Sequence, residues 1–224
     1  MTSRSPLLAS RLRHVADLLA ARYGRPRRRA ADPLDTLVET VLSQNTSDVN
    51  SGRAFAALKT AFPRWELLAR APATAIERAI RPGGLARTKS RRIKAVLAAV
   101  KERAGRHDLR VLRHLTPAQA DGWLLGLPGV GPKTRSCVLL FACGHPAFPV
   151  DTHVHRIVRR AGFIGATDSA GAAHALLLPA VPAGRHLDLH LNLIRLGREL
   201  CRPRAPRCPE CPIRRECDHG RRAV

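Results

Sequence analysis

The 224-residue chain is short of acid: 17 Asp and Glu stand against 39 Lys and Arg, a formal charge of +22. So lopsided a surface needs an anionic partner, and for a soluble domain this basic the commonest one is nucleic acid. Lysine is scarce as well, at positions 59, 89, 94, 101 and 133 only. Compositional bias can put arginine in place of lysine, but it does not create an excess of cations over anions. No apolar run approaches the roughly 18 residues that a membrane-spanning helix needs, so no membrane partner is expected. Aromatic residues make up 4% of the chain, and Leu, Ala and Val are left to build the core. That mix favours helix over sheet. Hydrophobic residues at 45% and charged residues at 25% are ordinary globular proportions, which excludes disorder over most of the length.

The leucines near the N-terminus are interrupted by Arg11, Arg13, His14 and Asp17. They form no continuous apolar core of a signal peptide, and a cytoplasmic, nucleoid-associated protein is expected. Leu8, Leu12, Val15 and Leu19 instead lie at helical spacing, in a segment that stops near Gly24. Asp32-Pro33 pairs a capping side chain with a proline at the first helical position, followed by Leu34, Leu37, Val38, Val41 and Leu42. Further helices are read over 48–62, 72–80 and 89–102, then from Thr116-Pro117 to about Leu125 and from Pro132 to Cys143. Others start at Asp151 or Thr152, at Asp168 and at Pro182. No alternating run reads as a strand and no repeat of fixed period occurs. The expectation is an all-α chain of about ten short helices, with a basic linker at 25–29 and a loop-rich unit after Cys201.

Between two of these helices lies Leu127-Pro-Gly-Val-Gly-Pro-Lys133. Gly129, Val130 and Gly131 leave backbone N–H groups open just ahead of a helix, an arrangement that suits a phosphate oxygen. A plain helical hairpin that needs glycine for a sharp turn would look the same. The tail carries Cys201, Cys208, Cys211 and Cys217 in a C-x₆-C-x₂-C-x₅-C pattern. Disulfides do not suit a cytoplasmic chain. Structural zinc usually pairs two short C-x₂₋₄-C arms across a spacer, and only one such arm is present. Four thiolates within so short a loop also suit an iron–sulfur cluster. Cys137 and Cys143 stand apart and read as small core residues.

Taken together, LSQNTSD at 42–48, LPGVGPKT at 127–134, VDTH at 150–153 and the four-cysteine tail resemble the endonuclease III-like helix-hairpin-helix DNA glycosylases, in that family's order and over nearly the whole chain. The resemblance implies two helical domains with a cleft between them: a central one over 32–145 with its hairpin at about 117–143, and a second built from 1–31 and 146–224. It implies a [4Fe–4S] cluster on the four cysteines and a monomer acting on damaged or abasic duplex DNA. Lys133 takes the family's nucleophile position: a neutral amine attacks the anomeric carbon, expels the base and forms a Schiff base that permits β-elimination. Desolvation, a cationic surface and a helix N-terminus all favour that neutral amine. Asp151 caps a helix and takes the position of the carboxylate facing the reacting sugar. Gln44 takes the gap-filling position, and Leu85, projected by Gly83-Gly84, that of the intercalating wedge. Arg202, Arg204 and Arg207 in the first cysteine loop are expected to face phosphate, and His153 to lie near the base pocket. Leu125 stands where the family commonly has an acid, and Ala86 where it tends to have an aromatic residue.

The expected activity is therefore removal of oxidised pyrimidines followed by β-elimination at the abasic site. A monofunctional mismatch glycosylase, acting on adenine or on uracil and thymine, is the alternative enzyme; Lys133 argues against it. An idle, cluster-bearing DNA-binding protein is the alternative of a different class.

Overall fold

The computed structural model describes residues 4–223, with side chains from Pro6 onward. Every regular element among them is helical: α1 (Arg4–Tyr23), α2 (Pro33–Leu42), α3 (Asp48–Ala61), α4 (Trp65–Arg70), α5 (Ala73–Ala79), α6 (Ala86–Ala104), α7 (Pro117–Leu125), α8 (Pro132–Cys137), α9 (Thr152–Arg160), α10 (Ala170–Leu177), α11 (His186–Glu199) and α12 (Asp218–Arg222), with single 3₁₀ turns between some of them. The chain divides into two compact units, one of residues 30–145 and one of residues 1–29 with 146–224.

In the 30–145 unit, α2 is the central element, packing on α3, α6 and α8. Asp32 Oδ1 accepts from Leu34 N at 2.9 Å and Asp35 N at 3.1 Å, and Pro33 follows at the first helical position. Leu34, Leu37, Val38, Val41 and Leu42 are then buried against Leu58, Ile93, Val96, Leu97 and Val100 of neighbouring helices. Burying each such side chain contributes about 1.5–3 kcal/mol before entropy is subtracted. Thr116 and Gln119 close a reciprocal capping box at the start of α7.

The second unit packs Leu12, Val15 and Leu19 of α1 against Val154, Ile157 and Val158 of α9 and Leu189, Leu193 and Leu196 of α11. Ile213 joins this core from the tail, which docks Cys201, Cys211 and Cys217 on it. Arg185 ties the unit together: its guanidinium donates to Asp188, to Asp17 and to the Ala16 carbonyl.

Some expectations need correction. Asp168 does not start a helix; its carboxylate accepts from Gly165 N at 2.7 Å and closes a turn, while Ser169 Oγ caps α10. Pro182 opens a turn in which its carbonyl accepts from Arg185 N, so α11 begins at His186. α6 begins at Ala86, a turn before residue 89, because the bend at 81–84 ends that much earlier. The segment expected as one helix from Pro132 to Cys143 is α only to Cys137, and 138–143 winds wider as a π-turn. Arg113 Nε donates to the Ala142 carbonyl there at 3.1 Å, and Gly144, at φ +77°, ends it. Ala142 lies in the last turn, where a helix carbonyl has no partner within the helix, and Arg113 satisfies it from outside.

Candidate active site and nucleic-acid interface

Two helices meet at the turn 126–131 with their backbone tightly specified. Arg135 Nε of α8 donates to Asp121 Oδ1 of α7 at 2.7 Å, pinning the arms together. Arg103 donates to the Trp123 carbonyl at 2.7 Å and lays its guanidinium over the Trp123 ring, 4.5 Å from the centroid. Gly129 is needed by the protein itself: its φ is +70°, and a Cβ there would stand 2.9 Å from Arg92 Nε. Gly131 differs. Its φ of −81° and ψ of 176° are ordinary extended values, as Pro132 imposes on the residue before it, and a Cβ would meet nothing within 4 Å. Nothing inside the molecule requires glycine at 131.

Lys133 follows at the second position of α8, half-buried. Three of the other four lysines differ from it. Lys59 pairs with Asp35 at 3.1 Å and lies over Trp65, Lys94 donates to the carbonyls of Ala69 and Ala71, and Lys89 is buried on two more carbonyls. Among the described residues, no ion pair or hydrogen bond engages the Lys133 amine. It is available for chemistry in a way that three of the five lysines are not.

Gln44 and Leu85 lie on two further turns of this unit. Gln44 follows the Ser43 cap of α2, with Asn45 in the left-handed region at φ 53°, and its Oε1 accepts from Arg92 at 2.5 Å. Leu85 is itself left-handed, at φ 49°, and 56% exposed. A leucine in that region is uncommon and costs about 1–2 kcal/mol. An exposed side chain returns none of that by packing within the chain. It is thus not a staple folded onto α6. Leu125, the last residue of α7, is 61% exposed.

In the other unit Asp151 is the N-cap of α9: Oδ1 accepts from Val154 N at 2.7 Å, and the preceding Val150 N donates to His174 Nε2 at 3.1 Å. The cap fixes the carboxylate, and among the described residues no partner engages its second oxygen. Two residues on, His153 Nδ1 lies 3.1 Å from an Arg156 nitrogen. Arginine only donates, so Nδ1 accepts and the ring proton sits on Nε2. The same ring packs against Gly197 of α11, where a Cβ would come within 2.8 Å of Nδ1.

The tail brings Cys201, Cys208, Cys211 and Cys217 around one mainly apolar cavity, closed by Ile157, Leu196 and Ile213 among others. Burial, with lesser repulsion from the other three sulfurs, pushes the Cys211 thiol up to about 11; Cys217 is raised for the same reason. Thiolates become stable in such a cavity only if positive charge joins them. Donors are already in place: Arg160 points at Cys201 Sγ at 3.3 Å, and Gly220 N at Cys217 Sγ at 3.3 Å. Among the described residues no three His, Cys, Asp or Glu side chains converge as a single ion requires. Arg202 and Arg204 are exposed in the first cysteine loop. Arg207 is paired there: its Nε and one terminal nitrogen donate to the two carboxylate oxygens of Glu210.

Sequence reasoning missed the second tier of this site: Lys89, Arg92, Arg103, the Arg135–Asp121 pair and Arg160. One signal was present. Lys89 shares the stripe of Ile93, Val96 and Val100, an apolar face on which a lysine needs a reason.

A glycine hairpin opening onto a half-buried lysine, two exposed turns beside it and a four-cysteine tail define the helix-hairpin-helix class of DNA glycosylases. The comparisons agree. Residues 38–182 match the HhH-GPD superfamily base excision DNA repair protein family. A protein of Arabidopsis thaliana assigned as a DNA glycosylase is 42% identical over 74% of this chain, which spans 56% of that longer relative. Endonuclease III of Thermotoga maritima is 34% identical over 85% of each chain. A solved trapped endonuclease III–DNA covalent intermediate, an estranged-adenine complex, superposes with a TM-score of 0.83 at 27% identity, over 96% of this chain and 97% of that one. The chain belongs to the HhH-GPD superfamily, within its endonuclease III-like members: it is a base-excision DNA glycosylase with abasic-site lyase activity, acting on duplex DNA. Among its described residues no helix is long and apolar enough to cross a membrane.

Proposed function

We propose that this enzyme excises oxidised pyrimidines and then cleaves the abasic strand through Lys133, with Asp151 as the carboxylate that serves the reacting sugar. The observation that carries the reading is the Lys133 amine, set directly behind the glycine turn and engaged by no partner among the described residues.

The neutral Nζ attacks C1′ of a nucleotide swung out of the duplex. The C1′–N bond breaks and its electron pair leaves with the base, which takes up a proton. The sugar ring opens as the amine forms the C1′=N double bond of a Schiff base. That iminium acidifies the C2′ proton; its removal expels the 3′ phosphate, breaking C3′–O3′. Water then releases the unsaturated aldehyde and restores the amine. The Asp151 carboxylate, oriented by its cap to Val154 N, stabilises positive charge on the sugar and relays these protons.

Gln44 fills the space left in the stack and Leu85 wedges into it, supported by its exposure in a strained backbone. His153 presents a donor Nε2 to the base. Leu125 and Ala86 make the lesion-facing surface less acidic and less aromatic than is usual in the family, which bears on which oxidised pyrimidines are taken. The backbone at 129–131, Arg202 and Arg204 serve phosphate.

Cys201, Cys208, Cys211 and Cys217 would hold a [4Fe–4S] cluster, a reading supported by four cysteines, one buried and three half-buried, that line one apolar cavity with donors already aimed at two of the sulfurs. When bound, the cluster supplies positive charge and four covalent anchors for a tail too short to build its own core. Base excision needs no electron from it. A cytoplasmic setting keeps the unliganded thiols reduced. Duplexes carrying thymine glycol, dihydrouracil, an abasic site or a mismatch, each incubated with and without borohydride, test the reading. Trapping on the first three supports it, and turnover confined to the mismatch without trapping overturns it.

A further inference from the structure

Lys89 and Arg92 stand one helical turn apart at the start of α6, on the face that looks at both exposed turns and the hairpin of the 30–145 unit. Lys89 is 3% exposed, and its ammonium donates to the Leu42 carbonyl at 2.7 Å and the Gly83 carbonyl at 2.8 Å. Leu42 is the last residue of α2, two before Gln44; Gly83 lies two before Leu85. One ammonium therefore ties the entries of both turns together. No carboxylate accompanies it, and burial lowers its pKa. The charge also lies near the N-terminus of its own helix, where a cation is disfavoured. For core filling alone, methionine or leucine would be better. What offsets the cost is the pair of carbonyls, one of them at the negative end of α2.

Arg92 repeats the arrangement one turn on. It holds Gln44 by Oε1 at 2.5 Å, and its Nε and Cδ fill the space beneath Gly129. Because arginine only donates, the amide must turn its oxygen inward and its NH₂ outward.

We propose that Lys89 and Arg92 are positioning residues that set the Gln44 turn, the Leu85 turn and the hairpin as one rigid comb, so that gap filling, wedging and phosphate contact engage a duplex together. Neither touches the reacting atoms. The inference rests on the gap-filling and wedging roles given above to Gln44 and Leu85. Rigid placement matters because an error of about 1 Å at a distance from the chemistry can cost on the order of 100-fold in rate.

The test compares Lys89→Met, Arg92→Met and Arg92→Lys with Gln44→Ala and Leu85→Ala. The readouts are affinity for a duplex with an abasic analogue, affinity for an undamaged duplex, and kcat and KM separately, on holoenzyme whose folding is checked by thermal melting. The expected result is a loss of lesion discrimination of about tenfold in Lys89→Met and Arg92→Met, an effect of the size remote misplacement produces, with undamaged-duplex affinity retained and partial rescue by Arg92→Lys. Combining Lys89→Met with Leu85→Ala should add little to either alone, because the two act as a unit. Should Lys89→Met fail to fold, Arg92→Met, at a half-buried position, carries the test. Wild-type discrimination in both folded variants, or full additivity with Leu85→Ala, overturns the proposal if Gln44→Ala and Leu85→Ala do impair lesion binding. If those two are themselves silent, the roles of the turns fail first and the comb falls with them.

Discussion

Replacing Gly131 by alanine separates what the hairpin needs to fold from what it needs to bind. The backbone there is at φ −81° and ψ 176°, and the new methyl would meet no atom within 4 Å. Alanine adopts those angles freely, and it narrows the unfolded ensemble, so the variant gains about 0.4–1 kcal/mol. For a chain of this length that raises Tm by about 1–4 °C. Binding should move the other way. A methyl on the outer face of the turn holds a phosphate away from the neighbouring N–H groups, and losing one charge-assisted hydrogen bond costs about 1.5–3 kcal/mol. Kd for a duplex carrying an abasic analogue, read by fluorescence anisotropy at fixed salt, should rise about ten- to a hundredfold. Gly129→Ala is the counterpart: at φ +70°, with Arg92 Nε at 2.9 Å, it should lose about 1–2 kcal/mol of stability from the backbone alone. A lowered Tm for Gly131→Ala would show that packing requires this glycine after all. An unchanged Kd would remove the turn from the DNA interface.

Asp151→Asn should keep the cap on Val154, because asparagine caps as well as aspartate does, yet slow base removal by orders of magnitude in single-turnover assays; near-normal turnover would reduce Asp151 to a structural cap. Cys211→Ala should abolish the brown colour of purified protein and shorten the tail's life under limited proteolysis, and metal analysis of the wild type should return iron; zinc in its place would overturn the cluster. His186 has its pKa lowered by burial, so below about 6.5, the ordinary histidine value, the unfolded chain takes up a proton that the folded one resists. Its contribution to stability is therefore present above that pH and lost as pH falls. His186→Asn should flatten the acid side of a Tm-against-pH curve; an unaltered slope would contradict the assignment.

Much of the helical framework is legible in residue order because the signals are local. Asp32-Pro33 and the Thr116–Gln119 box fix two helix starts, and Leu12, Val15 and Leu19 mark a buried face. α4 escapes notice because six residues are too few for a periodic pattern; it is held by Trp65 Nε1 donating to Asp35 at 3.0 Å, a contact across 30 positions. The wide turn at 138–143 leaves no mark in the apolar pattern, and the Arg113 that donates to its Ala142 carbonyl is 29 positions away. At the site, the motifs that resemble the glycosylase family single out Lys133, Asp151 and the four cysteines as candidates, but not what holds their surroundings. Lys89 acts on the Leu42 carbonyl and Arg92 on the Gln44 amide, 47 and 48 positions away, and such partners leave no local trace. Arg207 shows the same limit: its charge suggests phosphate, and its ion pair with Glu210 three residues on is visible only in the fold.

Borohydride trapping on an abasic-site duplex bears most directly on the nucleophile. Wild-type protein should form a covalent adduct that survives denaturing electrophoresis, with the modified peptide ending at Lys133, and Lys133→Gln should form none while still binding the duplex. An adduct of undiminished yield in Lys133→Gln, or its absence from the wild type, would contradict the account.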